Sequence, residues 1–265
     1  MVEETTSLNF RHVHIAGWPI VRLNRENFAK LMVADFFAVN KSSIKPPPKL
    51  VFDANGQGLS MAQTDKKYMA SLQEADYIHT DGQPLVFASR YLTSTPLPER
   101  IATTDFFHDA ASVAQEKAIK FFILGASEEI NRLACENILK LYPNLQIVGR
   151  RNGYFNEADE EAICKEIVES GADVLWVGMG KPREQLFCVR NRERLRGLTW
   201  LKTCGGLFDF LAGRNKRAPQ WMQNIGLEWL HRMLLDPRRF FWRYLTTNFH
   251  AVYLLLAHRN KRHAN

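Results

Sequence analysis

The sequence predicts an α/β fold: a mostly parallel sheet with helices on both faces, followed by a C-terminal helical appendage. Short apolar runs that read as buried strands alternate with stretches of about 10–15 residues that have helical apolar spacing. Polar turns, several of them containing glycine, follow these runs. After residue 213 the pattern changes, because aromatic and basic residues interleave there at helical spacing.

In the first part of the chain, residues 1–25 are expected to form a strand or hairpin, and a helix is expected near 27–40. Three consecutive prolines at 46–48 exclude a helix and mark a connection. The next expected elements are a strand at 50–52, a helix at 61–75, a strand at 77–79 and a helix at 85–92.

The central part alternates more clearly. An apolar strand at 119–125 ends at Gly125, and Ser127 is expected to cap a helix that runs to about residue 141. Glu128 and Glu129 in its first turn suit the positive end of the helix dipole. The remaining expectations are a strand at 146–148, a helix from Asn156 to about residue 170, and strands at 173–178 and 199–204.

The charge is unevenly distributed along the chain. The net charge is +7, yet residues 214–265 hold ten Lys or Arg against two acidic residues, whereas the first 213 residues hold 25 basic and 26 acidic side chains. We therefore expect an α/β domain at 1–213 and a basic, aromatic-rich appendage at 214–265, broken into at least two helices at Asp236-Pro237. This asymmetry indicates a polyanionic partner: a membrane, a nucleic acid or a phosphorylated ligand.

The N-terminal residues, the hydropathy and the cysteine spacing predict a cytoplasmic protein. Residues 1–10 are polar and acidic, unlike a signal peptide, and the longest apolar run, at 249–257, is half of the roughly 18 residues that a membrane-spanning helix needs. The four cysteines show no Cys-x-x-Cys spacing, so reduced core thiols are expected.

Three polar turns lie where a parallel sheet binds ligands, beyond the carboxyl ends of its strands. They cover residues 53–57, 80–82 and 178–185. Asp81 has the position of a general base for an acceptor hydroxyl, but Asp-Gly is also a common turn pair, and both interpretations stay open. The same two alternatives apply to Asp53 and Asn55.

The third turn resembles a phosphate-binding turn only weakly. Gly178 and Gly180 follow a strand, but the sixth position of the dinucleotide pattern is Arg183 rather than glycine, which argues against a nucleotide-dependent oxidoreductase. The chain has no Asp-x-Asp pair and no His/Cys cluster with zinc spacing. We therefore expect no metal and no cofactor, and expect cationic side chains to stabilise any departing diphosphate.

Several motifs resemble the WecG/TagA/CpsF family of glycosyltransferases, also called glycosyltransferase family 26, over residues 50–245. The most specific block is the run 205–213, Gly-Gly-Leu-Phe-Asp-Phe-Leu-Ala-Gly, which continues through 216–219, 226–230 and 237–239. Support comes from 74–76, 81–82, 98–100 and 104–105. The resemblance implies a Rossmann-like fold and a metal-independent transfer of a hexose from a UDP-sugar to a polyprenyl-diphosphate-linked saccharide.

The resemblance also implies roles for single residues. Asp81 matches the general base of the family. The implied substrate-binding set is Asp53, Asn55, Arg100, Thr104, Asp105, Gly178, Gly180, Glu184 and Gln185, and the implied diphosphate-binding set is Arg232, Arg239 and Arg243. The appendage would attach the protein to the anionic inner face of the bacterial cell membrane, and the formation of a homo-oligomer is left open.

Two departures concern the expected sugar pocket. Most members of the family have Thr where this chain has Asp53, and Gln-Glu where it has Glu184-Gln185. The sequences at 52–57 and 102–105 resemble those of the family branch that contains exopolysaccharide glucosyltransferases. Glucose is therefore the expected sugar, with N-acetylmannosamine or its uronic acid as the alternative. A nucleic-acid-binding protein is the alternative of another class, although the mixture of basic and apolar residues suits a bilayer interface better.

Overall fold

The computed structural model describes residues 11–262, and of residues 239, 240, 243 and 258–262 it describes the backbone alone. One eight-stranded sheet forms the centre, in the order β1-β2-β4-β3-β8-β7-β5-β6. β1 and β2 form an antiparallel hairpin, and every other neighbouring pair is parallel. The strands are β1 His12–Ile15, β2 Trp18–Val21, β3 Lys49–Ala54, β4 Tyr77–Thr80, β5 Lys120–Gly125, β6 Gln146–Arg151, β7 Val174–Gly178 and β8 Trp200–Thr203.

Helices lie between the strands and, in the C-terminal part, after the last strand. They are α1 Arg25–Lys41, α2 Gly56–Thr64, α3 Lys66–Gln73, α4 Gln83–Leu92, α5 Thr103–Lys117, α6 Glu128–Leu141, α7 Glu160–Glu169, α8 Arg183–Asn191, α9 Leu207–Leu211, α10 Gln220–Asn224, α11 Glu228–Leu235 and α12 Pro237–Arg262. A 3-10 turn, Glu157–Asp159, precedes α7. The predicted α/β class and mostly parallel sheet are confirmed.

Both faces of the sheet are buried, because neighbouring residues of each strand enter different cores. In β5, Phe121 and Ile123 join the aromatic core that contains Phe28 and Trp176, while Phe122 and Leu124 join the core on the other face. This explains why the strands have continuous apolar runs rather than alternating ones.

The structure corrects one predicted helix and adds another. The helix expected at 61–75 is two helices, because Asp65 ends α2 and its carboxylate accepts hydrogen bonds from the backbone N–H groups of Lys67 and Tyr68, which starts α3. The added helix is α5, which lies between α4 and β5 in a stretch with no predicted element. Ser127 caps α6 as predicted.

The C-terminal helices lie against the α/β core. The break at Asp236-Pro237 is confirmed, since α11 ends at Leu235 and α12 begins at Pro237. α12 packs on α2, where His250 Nδ1 lies 2.9 Å from Ser60 Oγ. The domain boundary after residue 213 stays a prediction. Within residues 11–262, no helix combines the length and the hydropathy that crossing a bilayer requires.

Candidate active site

A polar cavity of about 240 Å³ opens at the carboxyl ends of β3, β4, β7 and β8. This is the edge at which parallel sheets bind ligands. Seven of the predicted site residues line it: Asp53, Asn55, Asp81, Thr104, Gly180, Glu184 and Arg232. Other lining residues are Gln57, Lys181, Asp209, Phe210, Asn215, Glu228 and the Gly205–Gly206 turn after β8.

Asp81 is the first residue after β4, and its carboxylate has defined partners. Its Oδ1 accepts a hydrogen bond of 2.7 Å from the backbone N–H of Thr103 at the start of α5. Its Oδ2 accepts a longer bond of 3.4 Å from Asn55 Nδ2. Burial alone would raise the pKa of Asp81, but the Thr103 N–H and the nearby charge of Lys181 lower it to about 2. The group is therefore a carboxylate at neutral pH, with one weakly engaged oxygen.

Asn55 joins two carboxylates. Its Oδ1 accepts from the backbone N–H of Gly58 at 3.0 Å, which caps α2. This contact fixes the orientation of the amide, so its Nδ2 points towards Asp53 Oδ2 at 3.1 Å and towards Asp81 Oδ2. The residue is thus both a helix cap and a bridge between the ends of β3 and β4.

Lys181 pairs with Asp53 in the floor of the cavity. Lys181 Nζ donates to Asp53 Oδ2, and both side chains are buried. Burial would lower the pKa of Lys181, but the charge of Asp53 and of its neighbours raises it instead. A buried pair of this kind stays charged only because each partner neutralises the other. Asp53, the position where the resemblance leads us to expect Thr, therefore brings its own counterion.

Glu184 ties two turns together. Its Oε2 accepts hydrogen bonds from the backbone N–H groups of Met179 (3.3 Å), Gly180 (3.0 Å) and Gly205 (3.0 Å). Its Oε1 accepts from Gln185 Nε2 at 3.2 Å. In a phosphate-binding turn, the N–H groups of the turn after β7 would donate to a phosphate. Here they donate to a carboxylate of the protein itself.

Both members of the Glu184-Gln185 pair are fully buried. Burial and the charge of Asp53 raise the pKa of Glu184 to about 7, although the charge of Lys181 and the backbone N–H groups of Gly180 and Gly205 favour its ionised form. Gln185 Oε1 is buried and has no hydrogen-bond partner. The two side chains therefore hold the frame of the cavity, and only Glu184 reaches its surface.

Gly178 is a packing position. A Cβ atom at this residue would lie 2.7 Å from the ring of Phe208 and 3.0 Å from the carbonyl oxygen of Gly205, which are closer than side chains tolerate. The glycine therefore permits β7 to approach the turn after β8. Gly178 is not among the residues that line the cavity.

An ion network at the rim joins the C-terminal helices to the core. Glu228 accepts a hydrogen bond from Arg100 Nη1 and forms an ion pair with Arg217, whose Nε lies at the same distance of 2.9 Å. Arg217 also donates to Asp105 at 2.8 Å and to the hydroxyl of Thr104. Arg100 and Asp105, which the resemblance assigned to the substrate, thus contact other side chains, while Glu228 and Thr104 line the cavity.

Of the three arginines predicted to bind a diphosphate, Arg232 lines the cavity, and its guanidinium lies over the ring of Phe210 at 4.8 Å. The side chains of Arg239 and Arg243 lie outside the described residues, so their role stays a prediction. Within the described residues, no group of three His, Cys, Asp or Glu side chains is placed to hold a metal ion.

Three site residues were missed by the sequence analysis. Lys181 was predicted only as a counter-charge for a diphosphate beside the third turn, Glu228 only as part of the motif at 226–230, and Lys202 only as part of a strand. Lys202 is fully buried on β8, and burial lowers its pKa despite the neighbouring carboxylates. A lysine within the apolar run at 200–204 was the one available signal, because lysine is rarely buried without a function or a partner.

Comparison with known proteins identifies the family. The profile of the glycosyl transferase WecG/TagA/CpsF family matches residues 13–265. The chain belongs to this family. Its members include an N-acetylglucosaminyldiphosphoundecaprenol N-acetyl-beta-D-mannosaminyltransferase of Bacillus subtilis (strain 168), which is 33% identical over 199 residues, 75% of this chain and 75% of that protein. A protein of the same name from Bacillus spizizenii (strain ATCC 23059 / NRRL B-14472 / W23) is 30% identical over 197 residues, 74% of each chain.

The resemblance seen in the sequence is therefore confirmed, and it extends beyond the predicted range of 50–245 to nearly the whole chain. As a member of the WecG/TagA/CpsF family, the protein is a glycosyltransferase. The two alternatives of another class, a nucleic-acid-binding protein and a nucleotide-dependent oxidoreductase, lose their basis with this membership.

Proposed function

We propose that this glycosyltransferase moves N-acetylmannosamine from a UDP-sugar to an N-acetylglucosaminyl-diphosphate-linked polyprenol, with Asp81 as the general base. The names of the two Bacillus relatives support this sugar and this acceptor. They favour the N-acetylmannosamine alternative over glucose, the sugar that the sequences at 52–57 and 102–105 led us to expect. Neither relative is named for glucose.

The placement of Asp81 carries the proposal. A base must reach the acceptor hydroxyl, and Asp81 stands at the end of β4 in the cavity with Oδ2 only weakly engaged. The bond from the Thr103 N–H holds the other oxygen. A purely structural role of Asp81 in its turn would explain the hydrogen bond from Thr103. It would not require a carboxylate that faces a polar cavity.

The departing diphosphate needs positive charge. Arg232 is a basic residue of the C-terminal helices that lines the cavity, so we assign it to the diphosphate, with Arg239 and Arg243 on the following helix as further candidates. Metal independence stays part of the proposal.

The lipid-linked acceptor implies work at a membrane surface. The C-terminal helices expose large apolar side chains, among them Trp221, Leu234, Trp242, Phe249 and Tyr253. Such side chains enter the headgroup boundary of a bilayer, and neighbouring arginines attract anionic lipid at about 1 kcal/mol each. We therefore infer a peripheral location on the inner face of the cell membrane.

The experiment offers UDP-N-acetylmannosamine, its uronic acid and UDP-glucose in turn, with a lipid-linked N-acetylglucosamine acceptor, and measures UDP release. We expect turnover with the first donor. Asp81→Asn should lower turnover by about 10²–10⁴-fold with unchanged UDP affinity. Asp173→Asn is the matched control, since its carboxylate accepts a backbone N–H at the same distance of 2.7 Å, next to the amino end of β7. Full turnover by Asp81→Asn would rule out the base, and turnover with UDP-glucose alone would rule out the sugar.

A further inference from the structure

Three carboxylates meet on the floor of the cavity, and Lys181 is placed among them. Asp53, Asp81 and Glu184 come from three different elements and all line the cavity. Lys181, in the turn after β7, reaches across β8 to the end of β3, where only 6% of its side chain and 7% of that of Asp53 are exposed. Carboxylates this close and this buried repel one another unless a cation lies between them.

Hydrogen bonds connect the lysine to the proposed base. Lys181 Nζ and Asn55 Nδ2 both donate to the same oxygen of Asp53, and the same Nδ2 also donates to Asp81. Because Asn55 Oδ1 is held by the N–H of Gly58, the amide cannot turn without losing the cap of α2. The four side chains therefore form one connected series from the ammonium to the base.

We propose that Lys181 is a positioning residue for sugar transfer: through Asp53 and Asn55 it holds the carboxylate of Asp81 in place, and its charge offsets the repulsion among the three carboxylates of the floor. The proposal rests on the proposed function, because it takes Asp81 as the base. A Thr at position 53 would carry no charge and would need no counterion. Asp53 needs one, and Lys181 neutralises it.

The surrounding charges support a dominant role for Lys181. Of the cations near Asp81, Lys181 contributes more to its low pKa than Arg100 does. Burial lowers the pKa of His79 on β4 far below its ordinary value, so His79 is neutral at physiological pH. The other charged or titratable groups around the floor are Glu184 on α8, Lys202 on β8, Cys204, and Tyr68 of α3 beside Lys181, with Asp209, Glu228 and Arg232 lining the rest of the cavity.

The test replaces the charge while retaining a hydrogen-bond donor. Lys181→Gln can still donate to Asp53 but leaves the floor without its central cation. An opposite charge at this range lowers the pKa of an Asp by roughly 1–3 units, so its removal should raise the midpoint of the acidic limb of kcat/KM by at least about one pH unit. With a midpoint that rises from about 2 to between about 3 and 5, turnover at pH 4 should fall by up to about tenfold more than turnover at pH 8, both relative to the unaltered protein.

Two further variants separate this role from a purely structural one. Asp53→Asn combined with Lys181→Gln removes one charge of each sign, so the acidic limb should return towards its original position even though the pair is gone. Lys181→Arg retains the charge and should retain the limb. If the Lys181→Gln profile has the same shape as that of the unaltered protein, or if the double variant shifts as far as the single one, Lys181 is only a structural pair and the proposal is wrong.

Folding and the base assignment are checked separately. Circular dichroism and UDP affinity show whether each variant retains the native site. If Lys181→Gln does not fold, the acidic limb of kcat/KM is measured for Lys181→Met instead and compared with that of the double variant. Failure of the proposed function has a different signature, because Asp81→Asn would then be active whatever the pH profiles show.

Discussion

Replacing Glu184 by Gln should change how the stability of the protein depends on pH. Glu184 Oε2 accepts three backbone N–H groups from two turns, and the side chain is fully buried. A Gln at this position retains an oxygen acceptor for these groups. Its new NH₂ would meet Gln185 Nε2, but Gln185 can turn its amide, since its own Oε1 has no partner. The substitution therefore keeps the fold and removes only the titration.

The magnitude follows from the pKa of Glu184. Burial raises it from its ordinary value of 4.5 to about 7. A carboxyl whose pKa is raised on folding stabilises the native state below pH 4.5, and this stabilisation is lost as the pH rises through 7. At 1.36 kcal/mol per unit, the free energy of unfolding should fall by about 3 kcal/mol between pH 4.5 and pH 8 because of this group alone.

The measurement is urea unfolding of both proteins, followed by tryptophan fluorescence, at several pH values between 4.5 and 8. Other titrating groups are common to both proteins, so they cancel in the difference between them. We expect Glu184→Gln to gain stability on the unaltered protein by about 3 kcal/mol over this range. A difference that does not vary with pH would show that Glu184 is ionised throughout, and the reasoning from its burial would be refuted.

Three further outcomes are expected. Turnover should persist in EDTA, because arginines are assigned to the diphosphate; loss of turnover that Mg²⁺ or Mn²⁺ restores would contradict this. The double variant Trp242→Ser, Phe249→Ser should bind anionic liposomes less than the unaltered protein does, whereas Phe37→Ser, which changes a partly exposed aromatic on α1, should bind them equally well. Equal retention of the double variant, Phe37→Ser and the unaltered protein would exclude membrane contact at α12. Asp65→Ala should cost about 1 kcal/mol of stability, seen as a melting temperature lower by roughly 2–4 °C, because α3 loses its cap; an unchanged melting temperature would contradict the capping role.

The sequence alone determined the class of fold and the edge of the sheet that carries the site. Apolar runs separated by helical stretches can be buried only as a parallel sheet covered on both faces, and the polar turns that follow the runs then lie at one edge. The motif at 205–213 led to the family, and the surplus of positive charge after residue 213 marked the segment whose helices provide Glu228 and Arg232 to the cavity.

Only the tertiary structure decided which side chains at that edge contact one another. Lys181 and Asp53 are 128 positions apart, and Glu184 bonds to the turn at Gly205 as well as to its own. The structure also showed that the N–H groups of the turn after β7 are engaged by Glu184, and that Arg100 pairs with Glu228. The physical reason is range: apolar periodicity reports burial averaged over a whole element, whereas a hydrogen bond or ion pair depends on an approach of about 3 Å that the packing of distant elements determines.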